Sequence, residues 1–200
     1  MGSRQDKHSS RSDRNLLSRL NVFLIGMMGT GKTTVGRLLA QRLSYRFFDT
    51  DDLVERVTKQ TISEIFKHQG EESFRRLESQ VLAELSAYTQ SAIATGGGIV
   101  LKQLNWSYLH HGLVVWLDAP VEILVQRLAN DTSRPLLSEV DLAHKLSSLL
   151  KERRSLYAQA DLRITIEKQT PEQVVAQIIE QIPTVLKSQH HTADASSELS

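Results

Sequence analysis

Residues 26–33, Gly26-Met27-Met28-Gly29-Thr30-Gly31-Lys32-Thr33, match the pattern G-x-x-x-x-G-K-[ST] without a mismatch. A strand-like apolar run, Asn21–Ile25, precedes the loop, and a segment of helical spacing, Thr34–Leu43, follows it. This order commits the chain to a fold in which a strand delivers a loop to the N-terminus of a helix. The glycines let the backbone curl so that successive amides point at a phosphate, and Lys32 adds a full charge. The Thr33 hydroxyl suits a Mg²⁺ ion bridging the β- and γ-phosphates. A glycine-rich turn with a snorkelling lysine is the alternative, and the flanking strand and helix argue against it. Gly29, Thr30, Gly31, Lys32, Thr33 and Thr34 are therefore the candidate nucleotide contacts. No stretch matches the guanine motif [NT]-K-x-D, so ATP is the expected donor.

The remainder continues the alternation. Asn21–Ile25, 45–48, 91–94, 113–117 and 162–166 read as strands, mostly apolar without alternation, as burial on both faces requires. Segments around 32–43, 72–88, 120–129, 139–158 and 171–182 have helical spacing, with Pro120 and Pro171 at helix starts. The pattern predicts an α/β fold with a five-stranded parallel sheet, helices on both faces, and a site at the carboxyl ends of the strands.

Charge and composition narrow the function. The net charge is +1, but Arg4, Lys7, Arg11, Arg14 and Arg19 against Asp6 and Asp13 give residues 1–20 a charge of +3. The body is left close to neutral, which argues against a nucleic-acid surface. No apolar run approaches the roughly 20 residues of a membrane span, and the chain has no cysteine for a disulfide or thiol nucleophile. Residues 1–19 read as a disordered basic arm, with an organellar presequence as the alternative. One domain is expected over 20–183, with a disordered tail over 184–200.

On the acceptor side, Asp49-Thr50-Asp51 ends the second strand, where alternation would put residues 49 and 51 on one side of the cleft. One carboxylate could serve the metal shell and the other could orient an attacking hydroxyl. Asp52 with Glu55 suits a capping box for a following helix and is read as structural. Arg75 and Arg76 stand four residues after Glu71 and Glu72, and on periodicity alone this spacing favours a solvated helix face. Gly96-Gly97-Gly98 follows the third strand and permits close backbone approach to a ligand, or simple flexibility. Residues 130–139, containing Arg134-Pro135-Leu136-Leu137, lack a regular period, as either a mobile lid or a surface loop would.

In order and spacing, G-x-x-x-x-G-K-T, D-T-D, G-E-x-x-F-R-x-x-E, G-G-G, R-P-L-L and R-x-x-L-Y near 153–157 resemble the shikimate kinases, from about residue 21 to 182. The resemblance implies a three-layer α/β/α P-loop kinase fold with a lid at about 130–139. It implies phosphorylation of the 3-hydroxyl of shikimate by ATP and Mg²⁺, in the route to chorismate and the aromatic amino acids. It also implies a cytoplasmic monomer, with a small-molecule substrate and neither nucleic acid nor membrane as partner. Lys32, Asp51 and Arg134 are then the catalytic residues, Thr33 and Asp49 (through water) the metal residues, and Asp51, Arg75, Gly96, Gly97, Gly98 and Arg153 the substrate residues. Glu78 matches the acid bracing Arg75, Arg127 the arginine stacking on adenine, Arg134 the lid arginine, and Pro171 lies on the adenine side.

The chain departs from the family by Arg154-Ser155 where a proline usually follows the arginine, leaving two candidate arginines. Arg153, four residues before Tyr157, fits the motif. A kinase of another sugar acid such as gluconate, or a non-catalytic relative with the same fold, are the rival readings. Lys32→Met and Asp51→Asn are each expected to lower turnover at least about a hundredfold without unfolding the chain. Steady-state kinetics beside circular dichroism checks this, and near-normal activity in both variants would refute the assignment.

Overall fold

All five side chains of β1 (Asn21–Ile25) are buried. A strand with no solvent-facing side must be covered on both faces and paired on both edges, so it belongs at the centre of a layered sheet. It lies there, between β3 (Ser91–Ala94) and β4 (Gly112–Asp118), in a parallel sheet of order β2-β3-β1-β4-β5 with β2 (Arg46–Asp49) and β5 (Leu162–Thr165) outermost. The computed structural model describes Leu17, residues 20–129 and residues 139–197, without the side chains of residues 139–140 and 187–197. Residues 1–16, 18–19, 130–138 and 198–200, and with them most of the basic arm, Arg134 and nearly all of the expected lid, lie outside the described residues.

Among the described residues seven α-helices join and cover the strands: α1 (Lys32–Leu43), α2 (Thr50–Thr58), α3 (Ile62–Ser86), α4 (Gln103–Leu109), α5 (Val121–Ala129), α6 (Glu139–Tyr157) and α7 (Pro171–Ser197). The sheet and helices form the three-layer α/β/α arrangement that the alternation predicts. From β1 the chain passes to β2 and β3 on one side and then returns to β4 and β5 on the other. The connections therefore diverge at the carboxyl end of β1, where such sheets open a crevice. Buried Asn21 fixes the other end: its amide donates to the Tyr88 carbonyl at 2.7 Å and its carbonyl oxygen accepts from Ser91 N at 3.0 Å.

Several elements differ from the sequence reading. Helix α3 begins at Ile62 rather than near 72, interrupted at Gly70 with φ 80°. Its start is a capping box, with Thr61 accepting from Glu64 N at 3.2 Å and Glu64 accepting from Thr61 N at 2.7 Å. The T-x-x-E spacing was available in the sequence, but Gly70 hides the continuity by breaking the period. Short α4 offers too few turns for periodicity to register. The cap of α2 is Asp49, which accepts from Asp51 N at 3.0 Å, and not Asp52. Asp52 instead lies on the exposed first turn, 3.9 Å from Arg37, while Glu55 accepts from Ile62 N at 2.9 Å.

At the C-terminal end, α7 continues through Pro183 to Ser197, whereas the sequence reading ends the helix at 182 and places a disordered tail from 184. Val185 and Leu186 pack against the core, so the apolar side that began at Val174 extends beyond the proline. Leu17, inside the expected basic arm, is likewise fully buried. Among the described residues no helix is long and apolar enough to cross a membrane.

Leu24, in β1, is 0% exposed and pairs with Ala94 and Val115 on its two sides. Leu24→Ala is expected to cost about 2–5 kcal/mol, the range for emptying a well-packed aliphatic site. Urea denaturation measures it; a loss under about 1 kcal/mol would contradict the central placement of β1.

Candidate active site

The loop between β1 and α1 closes at Gly31, which caps the helix in the left-handed region at φ 93°, a conformation side chains disfavour. No side chain caps α1, and no acid stands in its first turn. The two helices that follow are capped by side chains, Asp49 for α2 and Thr61 for α3, whereas α4, like α1, has no side-chain cap. An uncapped N-terminus keeps its amides and positive dipole end available to an anion. Lys32 arches back over the loop, donating from Nζ to the carbonyls of Gly26 at 2.9 Å and Met27 at 2.8 Å. Thr30 tightens the turn by donating its hydroxyl to Met27 O at 2.9 Å.

Next to the loop, Thr33 donates its hydroxyl to Asp49 Oδ2 at 2.7 Å, while the other oxygen of Asp49 caps α2. One carboxylate thereby joins the first turns of two helices. Asp51 does not reach the cleft by strand alternation, because Thr50 already begins α2. It reaches it from the first helical turn, and both Asp49 and Asp51 line the same cleft of about 520 Å³ as residues 28–35.

The triple glycine is glycine for reasons of space. A Cβ on Gly96 would overlap the Glu78 carboxylate and meet Asp51, and one on Gly98 would overlap the Arg75 guanidinium. Gly96 N donates to Thr50 Oγ1 at 3.0 Å, tying this turn to the start of α2. Gly97 packs its open side against the backbone of the phosphate loop, where a Cβ would lie 3.4 Å from Met28 N.

Arg75 is not on a solvated face. Its side chain is 14% exposed and reaches Glu78 at 2.8 Å and Glu71 at 3.1 Å. Burial pushes the Glu78 carboxyl up from its ordinary pKa, opposed by Arg75, Arg153 and Lys102. Burial also works against the charge on Arg75, but Glu78 and Glu71 outweigh it and raise its pKa. Removing one partner of such a buried pair costs about 3–5 kcal/mol, which holds the guanidinium where it lies.

The two candidate arginines separate because neighbouring helix positions diverge by about 100°. Arg153 is 8% exposed and donates to Gly97 O at 3.2 Å. Arg154 turns away, 3.4 Å from Asp118, with its guanidinium over Trp116. Tyr157, one turn beyond Arg153, also donates to Gly97 O.

Arg127 also lines the cleft, donating to the carbonyls of Gly29 at 3.1 Å and Thr30 at 3.2 Å. Pro171, Gln169, Ile166 and Val174 line it as well. Of the predicted substrate residues, Asp51 and Gly97 line that cleft; Arg75, Gly96, Gly98 and Arg153 do not, and lie beside it around Gly97. Sequence reasoning missed Thr50, Thr95 and Gln169. Thr50 and Thr95 immediately follow strands, a position that could have pointed to them; Gln169 carries no such signal.

Comparison with known proteins gives a consistent picture. A family model described as Shikimate kinase matches residues 28–183. A shikimate kinase of Microcystis aeruginosa is 59% identical over 184 residues, covering 92% of this chain and 97% of the relative. One of Rippkaea orientalis is 59% identical over 175 residues, covering 87% and 94%. Among solved structures, a shikimate kinase from Acinetobacter baumannii in complex with shikimate aligns with a TM-score of 0.80 at 38% identity, covering 88% of this chain and 97% of that one.

Gly98→Ala is expected to push Arg75 off Glu78 and destabilise the chain by about 1–3 kcal/mol, as overpacking does. Nucleotide affinity should stay within about threefold, since the atoms nearest the added methyl belong to Arg75 and not to the phosphate loop. Thermal denaturation and ADP titration report the two effects, and a collapse of ADP binding would contradict their separation.

Proposed function

Because the chain belongs to the shikimate kinase family, we propose that it transfers the γ-phosphoryl group of ATP to the 3-hydroxyl of shikimate, giving shikimate 3-phosphate and ADP. This step serves the synthesis of chorismate and the aromatic amino acids. One observation carries the assignment of roles: an open helix N-terminus with its lysine, and the Asp49/Asp51 pair, share one cleft with the triple-glycine turn beside it.

The chain's own groups divide the work. Amides of residues 29–34 and the Lys32 ammonium bind the phosphates, with Arg127 and Pro171 toward the base. Arg75 and Arg153 hold the shikimate carboxylate, for which a planar guanidinium offers two parallel donors. Glu78 keeps Arg75 in place, and the backbone of Gly96, Gly97 and Gly98 contacts the ring. Asp51 orients the 3-hydroxyl and accepts its proton as the new O–P bond forms and the bond to ADP breaks. Arg134, outside the described residues, is assigned the developing phosphoryl charge.

A metal fits beside the loop. The Thr33 hydroxyl and Asp49 carboxylate, 2.7 Å apart, are hard oxygen donors of the kind Mg²⁺ prefers, Asp49 acting through water. Bound with the nucleotide, Mg²⁺ would neutralise charge between the β- and γ-phosphates. The same reading takes the protein as a cytoplasmic monomer with a lid at about 130–139, acting on a small molecule and not on nucleic acid or membrane.

A coupled ADP-release assay separates this reading from its rivals. Shikimate is expected to raise ADP release at least about a hundredfold over the rate without acceptor, because an aligned hydroxyl outcompetes stray water. Gluconate and nucleoside monophosphates should not. Stimulation by gluconate alone would transfer the assignment to a sugar-acid kinase, and no stimulation by any acceptor would favour a non-catalytic relative.

A further inference from the structure

The Gly97 carbonyl accepts two side-chain donors, the Arg153 guanidinium at 3.2 Å and the Tyr157 hydroxyl. Tyr157 is 0% exposed, and its hydroxyl also lies 3.6 Å from Met27 Sδ. Its ring stacks on Trp116 of β4 at 5.8 Å between centroids. Trp116 in turn lies under the guanidiniums of Arg154 and Arg163, both held by Asp118. One phenol thus contacts α6's neighbour on the sheet, the phosphate loop at Met27 and the triple-glycine turn at Gly97. Burial pushes its pKa up to about 12, against the pull of Arg153 and Arg75, so it remains a neutral donor throughout the working range.

A tyrosine that only fills the core would need its ring and not its hydroxyl, and phenylalanine would serve. Here the hydroxyl sits at the seam between the two halves of the site. Gly97 is backed by Met28 N and Gly26 O on one side and flanked by Gly96 and Gly98, which abut Asp51, Glu78 and Arg75.

We propose that the Tyr157 hydroxyl is a positioning group: by fixing the Gly97 carbonyl beside Arg153 and against the phosphate loop, it sets the spacing between phosphoryl donor and acceptor. The proposal rests on the shikimate kinase reading, and it adds a residue that touches neither substrate.

Tyr157→Phe in the full chain tests it, because the ring and its stacking survive and only the hydroxyl is lost. A small misplacement of reacting groups costs rate more than binding, so kcat is expected to fall about tenfold while both KM values stay within about threefold. Hydrogen exchange should quicken at residues 96–101 and remain unchanged in β1 and α1. An unchanged kcat overturns the proposal. So does a variant with faster exchange throughout and weaker MgADP binding, which would make the hydroxyl merely structural. If wild-type chain fails to respond to shikimate, the functional reading fails instead; the exchange pattern then decides alone whether the hydroxyl fixes the turn.

Discussion

An uncapped helix N-terminus at the carboxyl end of a fully buried strand is the constraint around which the rest is arranged. Amides left without partners at a helix start are ordinarily satisfied by a side chain, as Asp49 and Thr61 do for α2 and α3. At α1 that satisfaction is withheld, and no acid in the first turn competes for the dipole. Such an end is tolerable because β1 holds the loop in place, hydrogen-bonded to β3 on one side and β4 on the other. Rigidity behind the loop and the crevice in front of it arise from the same topology.

The second organising feature is the lack of side chains at residues 96–98. Gly96 leaves room for Glu78 and Asp51, Gly97 for the phosphate loop, and Gly98 for Arg75. Three groups of different charge and origin converge on one turn, and any Cβ at its outer positions would drive one of them away. The buried Arg75–Glu78 pair is exposed on neither chemistry nor solvent grounds to easy loss, since leaving either charge alone in that environment costs more than the pair gains. Stability and preorganisation therefore share the same contacts, and Tyr157 closes the turn from behind.

Much of this was legible beforehand, and for identifiable reasons. The β1 and β3 limits follow from short apolar runs bounded by turns, and the phosphate loop from its glycine spacing. Periodicity shortens helix α3 because Gly70 interrupts it, although Thr61 and Glu64 mark the helix start. Spacing points to Asp52 for the capping role that Asp49 performs, because it offers three acids within four residues and does not say which one faces the helix start. The solvated-face alternative for Arg75 stayed open for a similar reason: an (i, i+4) acid and base look alike on a surface and at the rim of a site.

What the sequence by itself determined is the set of local commitments: where strands and helices alternate, where the backbone must curl around a phosphate, and which residue types stand after each strand. These are properties of neighbours within a few positions, and periodicity and glycine placement record them. Only the tertiary structure decided which groups meet. It placed Arg153 on Gly97 and sent Arg154 to Asp118, brought Glu78 beneath Gly96, and set Tyr157 at the junction of loop and turn. Those pairings join residues up to 130 positions apart, and their partners are selected by strand order and by the space left between packed elements, neither of which a linear pattern encodes.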